Sequence, residues 1–331
     1  MDLRRRKFNQ WGTVLASMSA APSVFAQRDT AGGFPSRPMH LTIPFIAGGG
    51  TDIVGRTIGQ KLAQALGQPV IVENKAGANG TIGANTVAKS PADGYNLCLL
   101  TASHSVNVTL QGVKPPYSLI NDFDPLIQLA VQPYILVVKP SLPVRSVAEL
   151  IALAKAKPGQ ITFGSSGTGG LVHLSAELFA TLAGLKLTHV PYKGGAAAMM
   201  DVIIGNVDMM FTSYNQSKAF INSGQLKLLA VTSPERNPAM QNTPTMREAG
   251  VAGYEVSSWY GLAVPAGVPE PILSKLNSTV NQILKQADVV AAMATDGADP
   301  VGGTPAQFGN FLKAEVEKWR KLIDHLKIQV G

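Results

Sequence analysis

The chain has 331 residues, of which 45% are hydrophobic and 15% are charged, so it can bury a sizeable core, and intrinsic disorder is excluded for most of its length. The formal net charge is +7, and the basic run Arg4–Lys7 supplies much of it. The remaining charges are scattered along the chain rather than gathered into a basic stripe. Nucleic acid is therefore excluded as a predicted partner.

The first 26 residues have the three parts of an export signal. A basic start, MDLRRRKFNQ, precedes a modestly apolar stretch, WGTVLASMSAA, and Val24-Phe25-Ala26 offers small residues at the cleavage site. The run Arg5–Phe8 resembles the twin-arginine pattern, and an ordinary secretory signal with extra arginines is the alternative. No other stretch reaches the ~18 apolar residues of a membrane span. The sequence predicts a soluble periplasmic protein that is cleaved near Ala26.

A strand, a glycine loop and a helix are predicted between His40 and Gly67. Leu41–Phe45 has the short apolar make-up of a buried strand, and the loop Ile46–Gly50 contains three consecutive glycines. Thr51 or Asp52 is predicted to cap the helix. The apolar positions that predict this helix are Ile53, Ile58, Leu62 and Leu66.

This loop has two interpretations. The glycines could simply make a tight turn, or the free N–H groups at the helix N-terminus could bind an anion. The loop lacks the last glycine of the dinucleotide fingerprint, because Ile53 stands at that position, and no Gly-Lys-Ser/Thr occurs in the chain. A small anion is therefore favoured over a nucleotide.

The alternation of strands and helices continues along the chain and predicts an α/β protein with a parallel sheet. The strand, loop and helix pattern recurs at Ile161–Leu182, where the loop reads SSGTGG. Two strands, Tyr134–Lys139 and Ser257–Pro265, are predicted to cross between two halves. The predicted organisation is a first lobe of residues 35–133 plus 258–331 and an inserted second lobe of residues 134–257. A hinge and a ligand cleft are expected between them.

Polar residues follow the strands of the predicted second lobe. Ser165–Gly169 lies at a helix start, but the hydrolase pattern G-x-S-x-G fails because Thr168 is the fifth residue from Gly164. His173 is either structural, as a surface pair with Glu177 or a brace for the loop, or a ligand contact. The five histidines lie far apart, and Cys98 is alone in an apolar strand. No carboxylate pair, metal set or nucleophile beside a base is expected, so the sequence predicts no enzyme.

At this point many segments together resemble one family, the substrate-binding proteins of tripartite tricarboxylate transporters, known as the Bug family. The matching segments cover residues 35–328 and are PFIAGGGTDIVGR, GQPVIVENKAGANGTIGA, SPADGY, LVVKPSLPVRSVAELIALAKAKPGQITFGSSGTGG, HVPYKGGAAAM, VDMMF, LAVTSPERNPAMQNTPTMREAG, SSWYGLAVPAGVP and GADPVGGTPAQF. The resemblance implies a type II periplasmic-binding-protein fold with two lobes. It also implies that a small organic acid is captured between the loops at 46–52 and 165–169 and delivered to membrane permease subunits. The family usually has Pro where this chain has Ile46.

The expected protein is a monomer with no cofactor, no metal and no catalytic residue. The residues expected to contact the ligand are Phe45, Ile46, Ala47, Gly48, Gly49, Asp52, Ser103, Ser165, Ser166, Gly167, Thr168, Gly169, His173, Tyr192, Lys193, Gly194 and Asp208. Two alternatives remain open at this stage: a periplasmic hydrolase that uses Ser165 or Ser166, and a subunit that presents its ligand to a sensory receptor.

Overall fold

The computed structural model describes residues 33–48, 50–110, 114–237, 240–295 and 297–327. The predicted export signal and the predicted ligand contact Gly49 lie outside these ranges. Within them, no helix is long and apolar enough to cross a membrane.

Strands and helices alternate through most of the described chain, as predicted. The elements are β1 (Met39–Ile43), α1 (Gly50–Leu66), β2 (Val70–Asn74), a 3₁₀ turn (Ala78–Gly80), α2 (Thr81–Ala88), β3 (Asn96–Thr101), α3 (Ala102–Asn107), β4 (Phe123–Val138), α4 (Val147–Ala156), β5 (Thr162–Ser165), α5 (Leu171–Ala183), β6 (Thr188–Pro191), α6 (Gly195–Ile204), β7 (Met209–Ser213), α7 (Tyr214–Asn222), β8 (Lys227–Val231), β9 (Ser257–Pro265), α8 (Glu270–Ile283), α9 (Ala287–Thr295), β10 (Asp299–Gly302) and α10 (Pro305–Leu326).

Two predictions about the first helix are wrong. Helix α1 begins at Gly50, so Thr51 and Asp52 lie inside its first turn and do not cap it. Ile53 is 41% exposed and does not belong to the buried face. The buried stripe instead follows the spacing of four residues from Val54 to Ile58 and Leu62, and Ile53 lies about 100° around the helix from Val54.

Strand β4 is longer than predicted. The prolines in its first half argue against a strand, so the sequence did not reveal that half. The sequence predicts a strand only from Tyr134, since Pro125 and Pro133 lack the N–H group that a central strand normally uses. In the structure β4 begins at Phe123, and its pairing with β9 shifts register between Pro125 and Ile127. The irregular register accommodates Pro125 in the sheet.

Strand β4 belongs to two groups of strands, which define two lobes. The first lobe has the strand order β2-β1-β3-β9-β4, and β10 lies on the other side of β4. In the second lobe β4 pairs with β8 on one side and with β7 on the other. Strands β5 and β6 follow β7 in the sheet. The pairing of β4 with β9 ends at Pro133 of β4, and its pairing with β7 begins at Tyr134. The chain therefore changes lobes within one continuous strand.

The C-terminal helix α10 packs against both lobes. Its first half, with Phe308 and Leu312, packs with the first-lobe residue Trp259. Its second half, with Trp319, packs with the second-lobe residue Phe211. The proposed assignment of residues 258–331 to the first lobe therefore leaves the last turns of α10 in contact with the second.

We predict that Gly261→Ala destabilises the protein by about 1–3 kcal/mol through overpacking. Gly261 lies in β9, and a Cβ atom there would stand 2.1 Å from the ring of the buried Phe308. The measurement is urea denaturation at equilibrium. Gly309→Ala on α10 is the control, since its Cβ would only reach ordinary contact, 3.4 Å from Pro125. Equal unfolding midpoints for the two variants would contradict the prediction.

Candidate functional site

A cavity of about 260 Å³ lies between the two lobes. Both lobes contribute to its lining, as do the long strands β4 and β9, and none of the lining side chains is charged. The lining residues are Gly50, Thr51, Gln132, Tyr134, Ser166, Val172, Gly195, Met210, Phe211, Thr212, Ser213, Gln216 and Tyr260. Larger cavities of about 370 and 390 Å³ lie elsewhere, but neither glycine loop lines them.

Four helix N-termini meet at this cavity. Gly50 and Gly195 are the first residues of α1 and α6, Val172 is the second residue of α5, and Ser213 immediately precedes α7. The first-turn N–H groups of a helix have no acceptor within the helix, and they carry the positive end of its dipole. The geometry therefore favours an anion at the centre of the cleft.

Asp52 is buried behind the first glycine loop and holds that loop in place. The carboxylate of Asp52 accepts hydrogen bonds from the Gly48 N–H (3.0 Å), Arg56 Nε (2.9 Å) and Asn74 Nδ2 (2.9 Å). Asp52 is only 5% exposed and is not among the residues that line the cavity. Burial of this carboxyl works to raise its pKa, but the hydrogen bonds prevail and lower it to about 2. Phe45 is half-buried, while Ile46, Ala47 and Gly48 are exposed, and none of the four is among the residues that line the cavity.

The second loop is held by Ser165. This side chain is fully buried, and its hydroxyl donates to the Gly167 carbonyl (3.1 Å) and accepts from the Gly167 N–H (3.2 Å). It also lies 2.6 Å from His189 Nε2. The expectation that no nucleophile lies beside a base is therefore wrong, because the parallel pairing of β5 and β6 brings these two residues together. Ser165 has no exposed surface and is not among the residues that line the cavity.

His173 also supports this loop. Its Nδ1 accepts a hydrogen bond from the Gly169 N–H (3.1 Å), and its Nε2 lies 3.3 Å from Glu177 Oε1. The structural pairing with Glu177 is thus confirmed. His173 is 5% exposed, and it contacts the loop through the Gly169 N–H. Within the loop, Ser166 and Thr168 are exposed, and Ser166 lines the cavity.

Asp208 lies at the wrong end of its strand to touch a ligand in the cleft. It precedes β7, whereas the cavity is lined by Met210–Ser213 towards the other end. Its carboxylate pairs with Lys139 Nζ (2.7 Å) and accepts from the Thr162 N–H (2.8 Å). Asp208 is not among the residues that line the cavity, and its side chain joins β5, β7 and the end of β4.

The remaining predicted contacts are spread around the cleft. The hydroxyl of Tyr192 donates to Asp201 (2.5 Å), and burial together with this carboxylate raises the pKa of Tyr192 to about 12. Lys193 is exposed, and Gly194 precedes α6 with a φ of 129°. Ser103 is half-buried in α3 and is not among the residues that line the cavity.

Sequence reasoning missed the side chains that form the back wall of the cleft. Gln132 and Tyr134 lie on β4, Tyr260 on β9 and Gln216 on α7. None of them belongs to a glycine loop, the sequence pattern that predicts the site. The alternation of side chains along β4 places Gln132 and Tyr134 on one face, and a correctly predicted β4 would have indicated them. Among the described residues, no group of three or more His, Cys, Asp or Glu side chains could hold a metal ion.

Comparison with known proteins identifies the family. Residues 54–328 match the family model described as tripartite tricarboxylate transporter family receptor. The chain belongs to this receptor family. It is 36% identical to protein BugT of Bordetella pertussis, with 94% of each chain covered. It is also 36% identical to a protein of Pseudomonas sp. strain P51 encoded in the tcbD-tcbE intergenic region, over 96% of this chain and 95% of that one.

Solved structures agree with the family. The protein Rpa4515 of R. palustris, solved with adipate, is 37% identical and superposes with a TM-score of 0.75 over 89% of this chain and 99% of its own. MatC of Rhodopseudomonas palustris, with bound malate, is 31% identical with a TM-score of 0.71 over 88% of this chain and 100% of its own. The predicted type II periplasmic-binding-protein fold and the predicted family are confirmed, and the chain is a solute-binding receptor.

We predict that Asp52→Asn destabilises this receptor by about 1–3 kcal/mol, because it weakens charge-assisted hydrogen bonds to a buried acceptor. The lowered pKa of Asp52 means that its ionised form stabilises the folded state above about pH 4, and that this contribution is lost as the pH falls towards 2. Urea denaturation should give the same difference between wild type and variant at pH 7 and pH 5.

The difference should then shrink below pH 4. Asp288→Asn is the control, since Asp288 forms an exposed pair with Lys61 and should contribute little. A pH-independent difference, or an equal loss in the control, would contradict the assigned role of Asp52.

Proposed function

We propose that this chain is a periplasmic receptor that captures a small organic acid between its lobes and delivers it to the permease subunits of a tripartite tricarboxylate transporter. One observation carries the proposal: helix N-termini from both lobes meet at a single cavity of about 260 Å³ with no charged side chain in its lining. Partial positive charges on backbone N–H groups favour an anion of modest size. The receptor acts as a monomer.

The solved relatives support a carboxylate as the ligand. One was solved with adipate and another with malate, and both ligands are dicarboxylates. A carboxylate group accepts several N–H hydrogen bonds at once, which is the chemistry that converging helix N-termini offer. Each such bond contributes about 1 kcal/mol net, and somewhat more with a charged acceptor.

The proposed contacts divide into direct and supporting groups. Directly, the first-turn N–H groups of α1, α5 and α6 and the hydroxyls of Thr51 and Ser166 face the ligand. The exposed loop residues Ile46–Gly48 and Thr168 lie at the rim. Asp52, Ser165 and His173 act by fixing the two loops, through the hydrogen bonds described above.

We also propose that the ligand leaves unchanged. A hydrolase needs an exposed nucleophile beside its base, and the serine that lies beside a histidine here, Ser165, is fully buried. The exposed Ser166 contributes to the cavity lining as a hydrogen-bonding group.

We predict that the purified protein binds adipate or malate with a 1:1 stoichiometry and returns it chemically unaltered. Isothermal titration calorimetry with a panel of mono-, di- and tricarboxylates measures binding, and mass spectrometry of the released acid checks its identity. Small-angle scattering should show compaction with the bound acid, because each lobe supplies only part of the contacts. The absence of a saturating heat signal with every acid of the panel, or recovery of a chemically altered acid, would refute the proposed function.

We further predict that Gly48→Val and Gly167→Val each weaken acid binding at least tenfold, about 1.4 kcal/mol. These glycines have φ of 87° and 135°, which a β-branched residue does not adopt without strain, so each loop must rearrange. Gly184→Val is the matched control: Gly184 also has a positive φ, 64°, but it ends α5 away from the cleft. The control should lose stability and keep its affinity. If either loop variant binds like wild type, that loop is only a turn.

A further inference from the structure

Three aromatic rings are stacked directly beneath the second glycine loop, Ser165–Gly170. The ring centroids of Phe163 and His189 are 4.8 Å apart, and those of His189 and His173 are 4.0 Å apart, with interplanar angles of 18° and 21°. Phe163 and His189 are register partners on β5 and β6, and His173 comes from the first turn of α5. Three separate elements therefore bring two imidazoles together behind the cleft.

The polar edges of these imidazoles hold the loop. His173 Nδ1 accepts from the Gly169 N–H at 3.1 Å. His189 Nε2 lies 2.6 Å from the Ser165 hydroxyl, which in turn accepts from the Gly167 N–H. The same loop places Ser166 in the lining of the cleft. Its conformation thus depends on hydrogen bonds to two titratable rings, neither of which lines the cavity.

The contact with Gly169 fixes the protonation state of His173. Because Nδ1 accepts a backbone N–H, it carries no proton, and the proton of the neutral ring is on Nε2, which faces Glu177. A second proton on Nδ1 would point at the Gly169 N–H and break this hydrogen bond. The contact therefore requires the neutral imidazole.

The surroundings offer little compensation for a charge on the stack. Burial, together with the neighbouring His173, lowers the pKa of His189 to about 4, and Glu177 is the group that opposes this shift. Phe163 on β5 packs against both imidazoles, with ring centroids 4.8 Å from His189 and 5.9 Å from His173, and it carries no charge. Two imidazolium rings 4.0 Å apart would repel each other. The stack is thus built to be neutral and has one carboxylate beside it.

We propose that His173 and His189 are positioning residues that hold the 165–170 loop in its ligand-binding conformation as a neutral pair, and that protonation of the pair releases the loop and weakens ligand binding. The affinity part rests on the proposed function, whereas the loop part concerns the ligand-free protein as well. Acid thereby favours release of the ligand.

The test is calorimetry with adipate and malate between pH 7.5 and pH 4.5, on wild type, His173→Gln, His173→Leu and His40→Gln. The Gln carbonyl can accept from the Gly169 N–H but does not titrate. We expect wild-type affinity to fall further over this range than the affinity of His173→Gln, which also corrects for titration of the acid itself. His173→Leu, which has no acceptor, should bind at least fivefold more weakly than wild type at pH 7.5. His40→Gln should follow wild type, because His40 is partly exposed on β1, in the first lobe.

A second measurement needs no ligand. In ¹⁵N-labelled, ligand-free protein, the Gly169 amide signal should shift between pH 7.5 and pH 4.5 in wild type and stay in place in His173→Gln. If neither acid binds but the signal behaves in this way, the proposed function fails and the loop mechanism stands. If wild type and His173→Gln show the same pH dependence of affinity and of the Gly169 signal, the positioning role is overturned.

Discussion

The change of partner within β4 is the constraint on which the rest of the structure depends. Because β4 pairs with β9 up to Pro133 and with β7 from Tyr134, one strand belongs to both lobes, and the space between the lobes opens beside it. Its side chains alternate between two faces: Gln132 and Tyr134 line the cleft, whereas Val131 and Pro133 line a separate cavity of about 370 Å³. The ligand cleft thus has a backbone-paired wall that cannot slip in register without reversing this alternation.

The cleft then attracts an anion without placing a cation in its wall. An arginine or lysine at the centre would have to be desolvated each time the lobes close, and this cost offsets much of the attraction. Helix N-termini avoid that cost because their N–H groups are already fixed by the helices that carry them. Since α1 comes from the first lobe and α5, α6 and α7 from the second, the full set of donors exists only where the two lobes face each other.

Two ionisable side chains near the cleft, Asp52 and His173, form hydrogen bonds with the glycine loops. Asp52 fixes the first glycine loop through Gly48, and His173 fixes the second through Gly169. Both side chains are almost fully buried, and each accepts a backbone N–H that would otherwise point into the protein. Glycine loops are conformationally free by themselves, so a binding site built from them needs such fixed acceptors to keep its N–H groups aimed in one direction.

The sequence by itself determined the alternation of strands and helices, the two glycine loops at helix starts and the family, because these depend on local patterns and on segments read in order. It did not reveal the first half of β4, whose prolines are tolerated only through an irregular pairing with β9. Nor did it reveal that Asp208 and Ser165 are buried, since burial depends on which strands are neighbours. Only the tertiary structure brought His189 to Ser165 and His173, and Gln132 and Tyr260 into the cleft, because parallel pairing joins residues that are far apart in the chain.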